Sequence, residues 1–123
     1  MIVGVVNDKL EATVRLTLFG PDGQTQEITA VLGTGYNGSL TLPLSTVAAL
    51  ALSQGASREV TLGDATTKTF DYYNAVLEWM GQRRTARVLC VEGEPLIGTA
   101  LLSGHKLDAD FNPGGFVVIR PTP

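Results

Sequence analysis

Apolar and polar residues alternate along much of this chain. Ala12, Val14, Leu16 and Leu18 are apolar, and Glu11, Thr13, Arg15 and Thr17 lie between them. A period of two predicts a strand with one buried and one exposed face. Gly20-Pro21-Asp22-Gly23 follows as a turn, with proline presetting φ and glycine free to take positive φ. The pattern then resumes over residues 24–32, which predicts a first hairpin. Leu40-Thr41-Leu42 reads as a short strand stopped by Pro43. Residues 44–52 are rich in alanine and leucine behind that proline and predict one helix. Residues 58–62 and 66–70 flank Gly63-Asp64-Ala65 as a second hairpin, and residues 72–80 and 83–91 flank Gly81-Gln82 as a third. A helical turn after Pro95-Leu96-Ile97-Gly98 runs to Leu102. Strands over 106–111 and 116–120 are separated by Asn112-Pro113-Gly114-Gly115. The prediction is an all-β fold with one short helix, built as a single domain over residues 1–123.

Composition narrows the function classes. The 123 residues fit one domain. A chain of this size buries about two-thirds of the surface its unfolded form exposes. Apolar residues make up 44% and charged residues 17%, which is globular rather than disordered. A net charge of −3 points away from nucleic acid, because phosphate binding needs a concentrated basic face. Cys90 and His105 are the only residues of their types, so neither an intrachain disulfide nor a Cys/His zinc site can form within one chain. No metal and no cofactor is implied. The opening residues Met1-Ile-Val-Gly-Val-Val-Asn-Asp lack a basic region, and no apolar run approaches the roughly 20 residues of a membrane span. A cytoplasmic protein without membrane attachment is the expectation.

Val31-Leu32-Gly33-Thr34-Gly35-Tyr36-Asn37-Gly38 carries the most information. Gly33, Gly35 and Gly38 match G-x-G-x-x-G after a predicted strand. A dinucleotide site also needs a helix opening at the last glycine, so that free N–H groups meet the pyrophosphate. Residues 39–42 read as strand, and Pro43 would break a helix through them. The fingerprint therefore lacks its context.

The same segment resembles the active-site loop of the retropepsin-like aspartic proteases, two hydrophobic residues followed by Asp-Thr-Gly. The resemblance is to the small bacterial members, whose loop leads into a stretch like Leu40-Thr41-Leu42-Pro43. Pro95-Leu96-Ile97-Gly98 resembles the family's second signature before the carboxy-terminal helix. The hairpin tip Leu62-Gly63-Asp64-Ala65 falls where the family has its substrate-covering flap. The resemblance implies a retropepsin-like barrel, a homodimer, and a cleft for an extended peptide or unfolded protein. It implies a catalytic loop at Gly33, Thr34 and Gly35, with Leu96, Ile97 and Gly98 supporting it. Thr34 would bond across the dimer axis, and Gly35 would permit the tight turn that presents the catalytic side chain.

Position 33 departs from the family. Its aspartate falls on Gly33. The family's chemistry uses two carboxylates, one per subunit, that share a proton. One is the base for water while the other polarises the peptide carbonyl. Two-fold symmetry means that one Asp-to-Gly difference removes both groups. The chain as written is then inactive, and the alternative is a non-catalytic peptide-binding or dimerisation module on the same fold.

Other candidates read more simply as structure. Ser103, His105 and Asp108 suggest a triad, but they crowd one short stretch and read as solvated loop residues. Arg83 and Arg87 share a strand face and read as solvated surface. Cys90 reads as a buried apolar thiol, and Tyr73 and Trp79 read as core.

Overall fold

A computed structural model describes residues 1–61 and 63–123, with side chains for all of these except Ala56, Arg58, Val60 and Thr61. The strands are β1 (Ile2–Val6), β2 (Ala12–Phe19), β3 (Thr25–Leu32), β4 (Leu40–Leu42), β5 (Ser53–Thr61), β6 (Thr67–Trp79), β7 (Gln82–Cys90), β8 (Leu96–Ile97), β9 (His105–Ala109) and β10 (Phe116–Pro121). Among the described residues two helices interrupt them, α1 (Leu44–Ala49) and α2 (Thr99–Leu102). All ten strands join one sheet in the order β5-β6-β7-β4-β8-β3-β2-β1-β10-β9. A further pairing, Leu18 with Leu77 and Phe19 with Val76, joins β2 to β6. That contact closes six strands, β6-β7-β4-β8-β3-β2, into a ring.

The ring follows from the alternation. Val14, Leu16 and Leu18 of β2 are buried, as are Ala75, Leu77 and Trp79 of β6 and Ala86 and Val88 of β7. Leu40, Leu42, Ile97 and Leu101 are fully buried among them. Closing the sheet removes these faces from water together, at about 25 cal/mol for each Å² of apolar area. β6 runs on past the ring. Its first half pairs with β5 as a projecting hairpin arm, and Ser57 Oγ donates to Asp71 Oδ1 at 2.9 Å across it.

Several boundaries differ from the sequence prediction for identifiable reasons. β1 has no alternating pattern, because Ile2, Val3, Val5 and Val6 leave apolar residues on both of its faces. The predicted strands 66–70 and 72–80 are one strand, since Asp71 pairs with Ser57 rather than ending the run. Helix α1 stops at Ala49 rather than at Leu52. Leu52 N donates to Val47 O and Ala51 takes φ 50°, a left-handed helix end. Leu50 and Leu52 remain buried, so the apolar spacing outlasts the helix.

Candidate functional site

The segment from Gly33 to Ser39 connects β3 to β4, and β8 lies between those two strands. β8 pairs parallel with β3, Val31 to Leu96 and Leu32 to Ile97. It pairs antiparallel with β4, Leu40 to Ile97 and Thr41 to Leu96. The chain therefore leaves one side of β8, forms the loop, and returns on the other side. Gly33 N donates to Ile97 O at 2.9 Å, and Tyr36 N donates back to Gly33 O at 3.0 Å to close the turn at Thr34-Gly35. Gly98 N donates to Ser39 O at 2.9 Å, Thr99 N to Tyr36 O at 2.8 Å, and Ala100 N to Gly38 O at 3.1 Å. Backbone bonds thus fix the loop against Leu96–Gly98 and the first turn of α2. Thr41 is buried, and its Oγ1 accepts from Leu96 N at 2.9 Å, which satisfies a donor the two-residue strand β8 would otherwise leave open.

The glycines divide by what surrounds them. A Cβ on Gly98 would sit 2.6 Å from Tyr36 Cδ2, 2.7 Å from Tyr36 O, and closer still to Gly38 O. Here two backbones cross, and only glycine fits. Gly33 is different. A Cβ there would lie 3.6 Å from Leu96 Cδ2 and 3.8 Å from Ile97 O, ordinary contact, and its φ is outside the left-handed region. A side chain at position 33 has room. Gly35 corrects the sequence reading. It does not take positive φ, and a Cβ on it would meet nothing within 4 Å, so the turn within one chain does not require glycine. Thr34 and Gly35 form the exposed tip of the loop.

Beside the loop lies an open cavity of about 470 Å³, lined by Tyr36, Asn37 and Ser39 from the loop, Tyr72 from β6, Arg87 from β7 and Ala100 from α2. The sequence reading missed this grouping. Its origin is the parallel pairing of Leu40 with Val88, which sets Arg87 beside the return strand of the loop. The Arg87 guanidinium lies 5.7 Å from the centre of the Tyr72 ring. Burial, and then the neighbouring Tyr72, push the Tyr36 phenol above the ordinary tyrosine range, so it stays a protonated donor.

The predicted flap residues fall on the β5–β6 arm. Leu62 lies outside the described residues. Gly63, Asp64 and Ala65 are exposed at the tip of the β5–β6 arm. Asp64 Oδ1 accepts from Thr66 Oγ1 at 2.6 Å and Thr66 N at 3.1 Å, a local turn that holds its carboxyl below the usual range. Among the described residues no hydrogen bond links this tip to Gly33, Thr34 or Gly35.

Three simpler readings change. His105 is half-buried at the start of β9 rather than a solvated loop residue. Its Nε2 accepts from Trp79 Nε1 at 3.1 Å, and its Nδ1 lies 2.9 Å from the Ser103 carbonyl oxygen. These partners fit the neutral tautomer protonated at Nδ1. The Ser103 hydroxyl plays no part, and Asp108 pairs with Arg120 instead, so no triad forms. Cys90 is half-buried, and burial is the main cause that raises its thiol pKa. Tyr73 is half-buried while Trp79 is buried. Among the described residues no group of three His, Cys, Asp or Glu side chains could hold a metal ion, and no helix is long and apolar enough to cross a membrane.

No family model matches this chain, and no curated relative matches it by sequence. Its fold is similar to that of a retropepsin-like aspartic protease from Rickettsia conorii, with a TM-score of 0.59 over 99% of this chain and 91% of that one, at 12% identity. The chain has the all-β fold of the retropepsin-like aspartic proteases.

Proposed function

We propose that this chain is a homodimeric aspartic-endopeptidase domain whose hydrolytic centre is silent because Gly33 occupies the carboxylate position. The observation that carries the reading is the loop itself. Gly33 is tied to Ile97 at the crossing of β3, β8 and β4, in a backbone conformation and a space that would accept a side chain. A carboxylate there would stand on a rigid base, as general acid–base catalysis requires. The peptide would bind extended, its main chain pairing with strand edges while alternate side chains fill pockets.

A second copy is implied by what one chain leaves open. The loop tip at Thr34-Gly35 is exposed. At the same end of the sheet, Val31, Thr13, Val5 and Phe116 form one cross-strand row. Val5 and Phe116 are exposed at 47% and 71%. Apolar side chains beside an unpartnered loop favour burial against a twin surface.

The Gly33→Asp variant tests the catalytic reading. It is expected to cleave unfolded protein or a peptide library between acidic and neutral pH, with inhibition by pepstatin, whereas the chain as written does not. General acid–base chemistry alone is worth roughly 10²–10⁴-fold, so recovery is readily measured. A dimeric Gly33→Asp variant that cleaves nothing would refute the protease reading and favour the non-catalytic module. Sedimentation at micromolar concentration is expected to give a dimer, and a strict monomer that still binds peptide would defeat a shared cleft.

A further inference from the structure

We propose that the cavity between the loop and β7 receives an acidic side chain of the bound peptide, with Arg87 as the group that recognises it. The proposal rests on the peptide-cleft reading above and adds a preference to it. Charge distribution carries the argument. The other described arginines have closer partners than the Tyr72 ring gives Arg87. Arg15 pairs with Glu27, Arg120 pairs with Asp108, Arg84 Nη1 donates to Leu101 O at 3.3 Å, and Arg83 lies 4.0 Å from the Phe19 ring centre. Among the described residues, Arg87 has no ion pair. It lines the cavity of about 470 Å³, and the described lining holds no carboxylate. A cation on the wall of a concave site, in a chain of net charge −3, is a specific feature rather than part of a basic surface.

The remaining lining suits the same ligand. Tyr36 and Tyr72 bring phenols, and Asn37 and Ser39 bring an amide and a hydroxyl. A carboxylate accepts hydrogen bonds only, and guanidinium offers it a planar pair of N–H donors. The Tyr36 hydroxyl can add a third donor. The Tyr72 ring beside Arg87 limits the directions the guanidinium samples, which lowers the cost of ordering it on binding. Asn37, Gly38 and Ser39 continue directly from the loop. A peptide lying across Gly33 would therefore present one of its neighbouring side chains here.

The test is fluorescence anisotropy with labelled, N-acetylated, C-amidated peptides. They are made in pairs that carry Glu or Asp against Gln or Asn at each position in turn. The chain as written serves as receptor, since it binds without turnover. One position is expected to favour the acid by about tenfold, the lower end for a charge-assisted hydrogen bond in an open site. Arg87→Gln removes that preference, and Arg87→Lys retains part of it, because lysine keeps the charge without the planar donor pair. Arg87 is exposed on its strand, so both variants should fold. An acid preference that survives Arg87→Gln would overturn the assignment, and so would peptides that bind without any preference, while the cleft itself would stand. A preference confined to peptides with a free terminal carboxylate would replace the side chain with the chain end and overturn the proposal as stated. Failure of the dimer to bind any peptide would overturn both this proposal and the cleft it rests on.

Discussion

Gly98→Ala tests the crossing of the two chain segments directly. The added methyl would meet Gly38 O, Tyr36 O at 2.7 Å and Tyr36 Cδ2 at 2.6 Å. A real Cβ needs more than 3 Å, so the β8–α2 junction would have to withdraw from the loop. That movement strains Gly98 N to Ser39 O, Thr99 N to Tyr36 O and Ala100 N to Gly38 O together. Overpacking alone costs roughly 1–3 kcal/mol, and a clash against backbone sits at or above the top of that range. We expect a loss of about 3 kcal/mol, a fall in melting temperature of roughly 10 °C for a chain of this size. Gly33→Ala is the control. Its methyl would find 3.6 Å to Leu96 Cδ2, and its φ suits any residue. It should be neutral or stabilising by up to about 1 kcal/mol through a less flexible unfolded chain. Urea unfolding at one fixed protein concentration measures both. Adding Tyr36→Ala to Gly98→Ala should not restore stability, because backbone oxygens rather than the ring set the limit. A Gly98→Ala protein as stable as the parent would refute the crossing as the reason for glycine, and so would full rescue by Tyr36→Ala.

Two further outcomes follow from single hydrogen bonds. Thr41→Val keeps the shape of a buried side chain but orphans Leu96 N, and should cost about 1–3 kcal/mol in urea unfolding with faster exchange of the Leu96 amide. Unchanged stability and exchange would show that another acceptor serves that amide. Asp108 is held below the usual carboxylate range, first by its hydrogen bond from Arg120. A depressed carboxylate contributes its stability above its unfolded pKa, about 4, and loses it as pH falls through the lower folded value. Arg120→Gln should return the Asp108 titration, followed by carbon-detected NMR, to the ordinary range, and an unmoved titration would rule out Arg120 as the cause.

Sequence and tertiary structure contributed different parts of this picture. Local alternation in Ala12–Phe19 was sufficient for a strand, because the side-chain period of two is a property of the extended backbone itself. The Gly33-Thr34-Gly35 and Leu96-Ile97-Gly98 segments could also be singled out, since a short motif is read from a few adjacent residues without knowledge of the fold. That position 33 is glycine where the resembled motif has aspartate needs no coordinates to be seen. Ile2–Val6 was not legible as a strand, because valines on both faces erase the alternation that marks one.

What only the fold decided was proximity. Nothing local says that Leu40 pairs with Val88, or that Val31 lies beside Leu96, since such long-range pairing depends on how the sheet closes and not on either segment alone. That closure separates the two glycines that the motifs treat alike, leaving space around Gly33 and none around Gly98. It also turns Arg87 from one of several surface cations into the wall of a cavity beside the loop. The sequence alone determined the strand pattern and the glycine at position 33. Packing determined which glycine has no room for a side chain and which cation lines the cavity, because both depend on distances between residues far apart in the chain.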